Sequence, residues 1–497
     1  MTQQHAVDES GAALLPRGAQ RAGRITFFLG LGVAVASMAL LLFADLPSLT
    51  SGVLVIALSV VLILLGIPVG VAMLGASLLG LWEIGGIRVV IGTMEAAAYS
   101  ATDSWSFSVI PMFILMGMLL WKSGLTASAF EAARQWVGWM PGGLAVATNF
   151  AGAGLAAGSG STIGITYALG RVSVPEMIRS GYRPSLAVGT VAAAGTLGQI
   201  IPPSLLLVIY AGAASVPVGP QLLAGIVPGI VLALAFAVMI VARASLNPKL
   251  APRADMTGVT WGTRMRSLVG IVPIVLVVLV VIGGLFAGLF TATESAVFGM
   301  LVALIFGVAH KLRLTRSWRQ VGTMLREAVL GVLTGTASIF LLLLGVEVLT
   351  RAIALSQVAN VLATSVSDLG LGRVAFLLVL IVVYIILGMF MDTLAMMLLT
   401  IPVLLAPLAA VGVDPLWFGV FLVIMAEVGL LTPPLGILSF IVHRITQDPA
   451  VNLGSTVSLV EVFKGVAWFA AVAVAVVVLL ILVPELATWL PSVSVAT

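Results

Sequence analysis

Two matched pairs of prolines are the residues best placed to do chemistry. Pro202-Pro203 and Pro433-Pro434 each lie in a long apolar stretch, and a glycine (Gly198, Gly429) stands four residues before each pair. Eighteen residues separate Pro184 from Pro202, and eighteen separate Pro415 from Pro433. The two copies are offset by 231 residues, close to half the chain. A proline pair removes two backbone N–H donors and breaks a helix. In hydrocarbon the freed carbonyls need new partners. Broken helices at matching places in two halves point to the binding site of a secondary transporter. There, helix N-termini face anionic groups and unwound carbonyls hold Na⁺.

Each pair has a small, polar partner upstream. In the first half it is GSGSTIG (158–164), where Ser159, Ser161 and Thr162 stand beside three glycines. Hydroxyl oxygens are hard donors suited to Na⁺, and glycine lets the backbone approach a ligand closely. In the second half it is MDTLAMM (391–397), where Asp392 is the only acid between Asp368 and Asp414. An acid inside an apolar segment is functional by default. It can also N-cap the helix that follows, and the two roles can coexist.

Glu427, two residues before Gly429, is a candidate for cation or proton binding. A hydrogen-bonded acid near an interface is the alternative. Thr291 and Glu294 fit the S/T-x-x-E capping box, with a substrate or ion role as the alternative for Glu294. Glu347 and Arg351 stand in the favourable i,i+4 order for a structural ion pair.

The elements that must position these residues are membrane helices. The chain has 497 residues, of which 61% are hydrophobic and 8% charged, where a soluble domain has roughly 25% charged residues. This excludes a water-soluble enzyme, a disordered chain and a nucleic-acid binder. It predicts an all-α polytopic membrane protein in a lipid bilayer. There is no Cys and there are three His, so a disulfide framework, a thiolate metal site and a His-rich metal site are excluded.

Charge-free stretches cover 25–44, 46–82, 104–121, 135–170, 184–242, 267–293, 393–413 and 465–484. At about 20 residues per span they predict about 12 membrane helices, some of them broken. Basic residues cluster at Arg17–Arg24, Arg171–Arg183, Arg243–Arg266 and Lys311–Arg326. All four clusters are expected on the cytoplasmic side, so the net charge of +4 reflects topology.

Residues 1–24 read as a cytoplasmic tail and 25–45 as an additional, retained transmembrane helix. An out-and-back pair, 268–290 and 294–310, joins the two most basic loops. Residues 82–105 read as an interfacial amphipathic helix, and 465–485 as a C-terminal span. Trp82, Trp105, Trp121, Trp136 and Trp139 read as interfacial belts or subunit contacts. No phosphate-binding GxxxxGK[ST] occurs. An intramembrane hydrolase would need Ser159 as nucleophile and His443 as base, and no G-x-S-x-G elbow occurs.

Over about 52–490 the sequence resembles the large membrane subunit of tripartite ATP-independent periplasmic (TRAP) transporters, the DctM-type family. The strings that carry the resemblance include IPMFILMG (110–117), GWMPGGLA (138–145), AAGSGST (156–162), GTLGQIIPPS (195–204), MDTLAMMLLTIPVLLAP (391–407) and GLLTPPLG (429–436). The resemblance implies an elevator-type secondary transporter with inverted repeats, about 105–243 and 327–445, separated by a basic loop at 243–267. Two re-entrant hairpins would enter the membrane from opposite sides.

The resemblance also implies Na⁺ as the coupling ion, no cofactor, and import of an organic acid, a C4-dicarboxylate or other carboxylate. A periplasmic substrate-binding protein (DctP-like) and a small membrane subunit (DctQ-like) are the implied partners in a bacterial inner membrane. Residues 25–44 are too short to be a fused small subunit. Carried onto this sequence, one Na⁺/substrate site comprises Ser159, Gly160, Ser161, Thr196, Gly198, Pro202, Pro203 and Ser204. The other comprises Asp392, Thr393, Gly429, Thr432, Pro433, Pro434 and Gly436. Met425 and Leu438 stand where the family often has Asn. A stand-alone Na⁺- or H⁺-coupled organic anion carrier of the same superfamily is the alternative, and neither reading is an enzyme.

Overall fold

The structure is a computed structural model and describes residues 17–103, 105–159, 161–253, 258–434 and 436–494. Among these the regular structure is helical. In chain order the helices are α1 (Arg17–Phe43), α2 (Ser48–Leu64), α3 (Val69–Asp103), α4 (Val109–Ser123), α5 (Leu125–Val137), α6 (Gly143–Ser159), α7 (Thr162–Arg179) and α8 (Pro184–Ile200). There follow α9 (Leu205–Ala213), α10 (Val218–Leu246), α11 (Trp261–Val278), α12 (Gly284–Phe286), α13 (Ala292–Thr315), α14 (Trp318–Ser356), α15 (Val358–Asp368) and α16 (Arg373–Gly388). The chain closes with α17 (Thr393–Ala410), α18 (Pro415–Leu431), α19 (Ile437–Ile445), α20 (Pro449–Asn452), α21 (Leu459–Leu482) and α22 (Glu485–Val493).

Among the described residues, eight helices are long and apolar enough to cross a membrane, or ten if each of two bent pairs counts as one span. One bent pair is α8 with α9, at 44°. Four shorter apolar helices, α2, most of α6, α16 and α18, add to these. The expectation of about 12 spans counts apolar length alone, and broken segments divide that length into shorter helices.

Boundaries shift where local signals compete with hydrophobicity. The first apolar helix, expected to start at 25, begins at Arg17, because Arg, Ala and Gln extend a helix readily beyond its apolar part. The C-terminal span, expected at 465–485, runs from Leu459 to Leu482. Ser458 and Glu461 form a reciprocal capping box at its start.

The chain forms two compact units, one of residues up to Ala97 with Leu344–Val358, the other of the remainder. In the first unit, α3 is interrupted at Gly86, whose φ of 68° lies in the left-handed region that glycine tolerates. Within this unit, residues 87–97 therefore continue α3 beyond the interruption. Arg88, Thr93, Glu347 and Arg351 line a cavity of about 550 Å³ in this unit. The expected Glu347–Arg351 ion pair does not form. Both side chains are exposed, and an exposed pair gains too little to hold two long side chains in one geometry.

In the second unit the two Pro-Pro helices, α8 and α18, lie in the interior. On α8 every residue from Leu186 to Gly198 is buried, and on α18 every residue from Trp417 to Leu431. A helix apolar on all sides belongs in a core. α8 is built from Ala and Gly, which let neighbours come to backbone distance. A Cβ added at Gly189 would lie 2.6 Å from the Gly465 carbonyl carbon of α21. One added at Gly152 of α6 would lie 2.6 Å from the Ala194 carbonyl oxygen.

α18 uses bulk instead. Phe421 stacks on both Trp417 and Phe418, at ring-centroid distances of 5.5 and 5.6 Å. Two polar groups in this core find backbone partners, as hydrocarbon demands. Tyr210 Oη donates to the Pro415 carbonyl at 2.6 Å, and Trp417 Nε1 donates to the Leu480 carbonyl at 3.1 Å. The first half-helix pair is thus bolted to the start of α18.

Candidate functional site

Both Pro-Pro pairs fall in breaks between helices. α8 ends at Ile200 and α9 begins at Leu205; α18 ends at Leu431 and α19 begins at Ile437. Both Pro-Pro bonds are cis. Two further helix starts follow the polar motifs, α7 after Ser161 and α17 after Asp392.

These four helix starts meet at one cavity of about 170 Å³. Its lining includes Ser161–Ile163 before and on α7, Leu205 and Leu206 on α9, Asp392–Leu394 before and on α17, and Ile437 and Leu438 on α19. Gln199, Glu427, Leu430 and Ile441 complete it. The first turn of a helix carries backbone N–H groups without intrahelical partners and a partial charge of roughly +0.5. Four such ends around one space favour an anion. Among the described residues no Lys or Arg lines the cavity.

Local caps fix these ends. Ser161 Oγ accepts from Gly164 N at 3.2 Å, and Asp392 Oδ1 accepts from Ala395 N at 3.0 Å. Ser204 Oγ accepts from Leu207 N at 3.3 Å and donates to the Gln199 carbonyl across the first break. At the second break Gly436, with φ 40°, takes the left-handed turn into α19. Ser439 Oγ donates back to the Leu431 carbonyl at 3.3 Å.

Of the residues expected from sequence, Ser161, Asp392, Thr393 and Glu427 line the cavity, and Ser204 and Gly436 begin the helices of its wall. Thr196 Oγ1 donates to the Ala193 carbonyl at 2.7 Å, and Thr432 Oγ1 donates to the Val428 carbonyl at 2.8 Å. Gly198 faces Ile165, and Gly429 faces Gly388. Pro202 and Pro203 are buried, while Pro433 and Pro434 are exposed. Ser159 closes α6, but its side chain and all of Gly160 lie outside the described residues.

Among the described residues no cluster of three or more His, Asp or Glu exists. Oxygen ligands for a monovalent cation would be hydroxyls and carbonyls. Thr196, Thr432 and the C-terminal carbonyls of α8 and α18 fit that donor type.

Three features of the site went unread from sequence. Among the described residues Gln199 is the only amide side chain in the wall. The sequence singles out Thr162 and Glu427 separately, but not their bond: Thr162 is buried and donates to Glu427, with its Oγ1 3.0 Å from each carboxylate oxygen. Leu205 and Leu206 bring apolar surface to the cavity. Gln199 stands between Gly198 and the first Pro-Pro pair, which was the signal available.

Glu294 is not part of this cavity. It is exposed and closes a capping box, accepting from Thr291 N at 2.8 Å while its own N–H donates to Thr291 Oγ1 at 3.3 Å. Gln serves equally at this position of the box. Glu294→Gln is therefore expected to leave substrate uptake within about twofold of wild type, as measured in proteoliposomes.

The sequence matches the family described as "Tripartite ATP-independent periplasmic transporter, DctM component" over residues 56–486. The C4-dicarboxylate TRAP transporter large permease protein DctM of Pseudomonas aeruginosa is 32% identical over 372 residues, covering 74% of this chain and 83% of that protein. The sialic acid TRAP transporter large permease protein SiaM of Vibrio cholerae is 29% identical, covering 78% and 88%. These relatives are permeases, not enzymes, which sets aside the hydrolase reading.

Among solved structures, the YdaH transporter of Alcanivorax borkumensis superposes with a TM-score of 0.58 at 14% identity, over 80% of this chain and 88% of that one. MtrF of Neisseria gonorrhoeae gives 0.56 at 14%, over 90% and 97%. At that identity the likeness speaks to the fold, which is that of a polytopic membrane transporter. With the family's pattern running through most of its length, the chain belongs to the DctM component family of tripartite ATP-independent periplasmic transporters.

Proposed function

We propose that this protein is the large membrane subunit of a Na⁺-coupled importer of an organic acid, a C4-dicarboxylate or another carboxylate, in a bacterial inner membrane. A periplasmic substrate-binding protein delivers the acid, and a small membrane subunit completes the membrane part. The observation that carries the reading is the meeting of four helix N-termini at one cavity with no basic side chain among the described residues of its lining. Such a cavity can hold a carboxylate through backbone N–H groups alone.

The substrate class is supported by relatives whose names specify C4-dicarboxylate, sialic acid and 2,3-diketo-L-gulonate. Na⁺ coupling is supported by hydroxyl and carbonyl oxygens beside both Pro-Pro breaks. An elevator movement of the site across the membrane follows from the family resemblance and from the matched broken helices.

The test is uptake into proteoliposomes holding this chain, its small subunit and the binding protein, with and without an inward Na⁺ gradient. Uptake is expected to need both the gradient and the binding protein. Uptake that persists without the binding protein would make the chain a stand-alone carrier. It would also turn attention to Met425 and Leu438, which are buried on α18 and α19.

A further inference from the structure

Away from the four helix starts, α5, α6 and α11 enclose an apolar slot of about 270 Å³. Small residues make the space: Ala129, Ala132 and Ala133 on α5, and Ala151 and Gly154 on α6. On the third side α11 supplies Leu268, Ile271 and Val275. α5 and α11 run antiparallel. The Trp136 and Trp261 rings meet edge to face at 6.1 Å between centroids, and further along α11 a Cβ at Gly270 would lie 3.1 Å from Ser128 Cβ. Val275 lines the slot and is 45% exposed, on a helix long and apolar enough to cross a membrane. The slot therefore joins the lipid-facing surface.

Empty apolar space of this size is unfavourable, because its lining atoms lack partners. A dry cavity of about 150 Å³ takes a benzene, so this one takes roughly ten carbons of an alkyl chain. A helix, about 10 Å across with its side chains, is too wide for it.

One end of the slot is polar. Trp136, which lines it, has its Nε1 buried with no hydrogen-bond partner among the described residues, and so has the half-buried Arg264 at Nε. The Arg264 guanidinium lies over the Trp261 ring, 5.7 Å from its centroid, and that ring meets Trp136. Among the described residues no carboxylate forms an ion pair with Arg264. A buried N–H without an acceptor is costly. Two of them beside one cation call for an anion.

The dimensions are those of a lipid. Arg264 stands one turn before Leu268 on the same face of α11. At 1.5 Å per residue, Leu268 and Val275 lie about 6 and 16 Å along the helix from Arg264. Half of the hydrocarbon core is about 15 Å thick. With Arg264 at the headgroup level, the slot spans the depth of an acyl chain in the leaflet beside the basic Arg243–Arg266 loop.

We propose that this slot holds one acyl chain of an anionic phospholipid, with Arg264 and Trp136 donating to its phosphate. The chain packs α6, the helix that leads into the GSGSTIG motif, against α5 and α11.

The test uses this chain with its small subunit, delipidated in detergent and titrated with phosphatidylglycerol or phosphatidylcholine. Bound lipid is counted by native mass spectrometry. Wild type is expected to bind one phosphatidylglycerol in preference to phosphatidylcholine. Arg264→Gln should weaken phosphatidylglycerol binding at least about tenfold and erase the preference, since a charge-assisted hydrogen bond is lost. Gly154→Leu should weaken both lipids at least about tenfold by filling the slot. Its melting temperature should not fall, because a Cβ at Gly154 meets nothing within 4 Å. Should Gly154→Leu not accumulate, Arg264→Gln decides alone.

Unchanged phosphatidylglycerol affinity in either folded variant would overturn the proposal, as would equal binding of the two lipids to wild type. Binding to the chain alone but not to the complex would overturn it too, and would give the slot to the small subunit.

Discussion

Gly429→Leu is expected to abolish folded protein at the membrane, and Gly429→Ala to cut uptake at least about tenfold. The reason is a backbone-to-backbone contact. A Cβ built on Gly429 lies 2.5 Å from Gly388 Cα and 3.1 Å from its carbonyl carbon, and one built on Gly388 lies 2.5 Å from Gly429 Cα. Neither neighbour has a side chain that can turn away, so α16 and α18 must separate. Overpacking of this kind costs about 1–3 kcal/mol, and about 1.4 kcal/mol is a tenfold change in an equilibrium.

The consequence reaches the cavity from two directions. Gly429 lies between Glu427 and Leu430, both in the cavity wall, and Gly388 ends the helix that leads through Met389–Asp392 into α17. Gly322→Ala on α14 is the control, because a Cβ there meets nothing within 4 Å. It should keep full uptake and the wild-type melting temperature, since alanine is the better helix former. A Gly429→Ala protein with wild-type melting and uptake would show that the two helices can yield.

That contact illustrates which parts of the molecule are legible in a sequence. Proline pairs, a run of hydroxyls and a lone acid are local signals, because each changes the hydrogen-bonding capacity of its own backbone. They located the two breaks and the starts of α7 and α17. The Gly388–Gly429 approach has no such signal, since glycine is common in membrane helices for many reasons. The Thr162–Glu427 bond joins positions 265 residues apart, and only packing selects that pair from all the others.

Boundaries followed the same logic. The Ser458–Glu461 box that starts α21 is written in the sequence as S-x-x-E, yet the apolar run beyond it dominated the reading. The Glu347–Arg351 pair was suggested by spacing and failed because spacing says nothing about exposure. The convergence of four helix starts was expected from the family resemblance and not from the residues themselves. It depends on how α7, α9, α17 and α19 are oriented, and no residue type reports orientation.

Asp392 offers the sharpest separation of architecture from chemistry. Its Oδ1 accepts from Ala395 N, so Asp392→Ala removes an N-cap, a loss of about 1 kcal/mol. Asn caps equally well, so Asp392→Asn should keep the wild-type melting temperature. What Asn lacks is the charge. A unit charge about 4 Å from a monovalent cation contributes about 1–4 kcal/mol between the dielectric of water and that near a protein surface. Asp392→Asn is therefore expected to raise the Na⁺ concentration for half-maximal uptake by about tenfold or more, with maximal uptake recovered at high Na⁺. Asp392→Ala should show the same Na⁺ shift together with a lower melting temperature. The measurement is uptake against Na⁺ concentration for the three proteins, paired with thermal unfolding in detergent. If the Asn variant keeps both the wild-type Na⁺ dependence and the wild-type melting temperature, Asp392 is a cap alone, and the Na⁺ dependence of uptake does not rest on its charge.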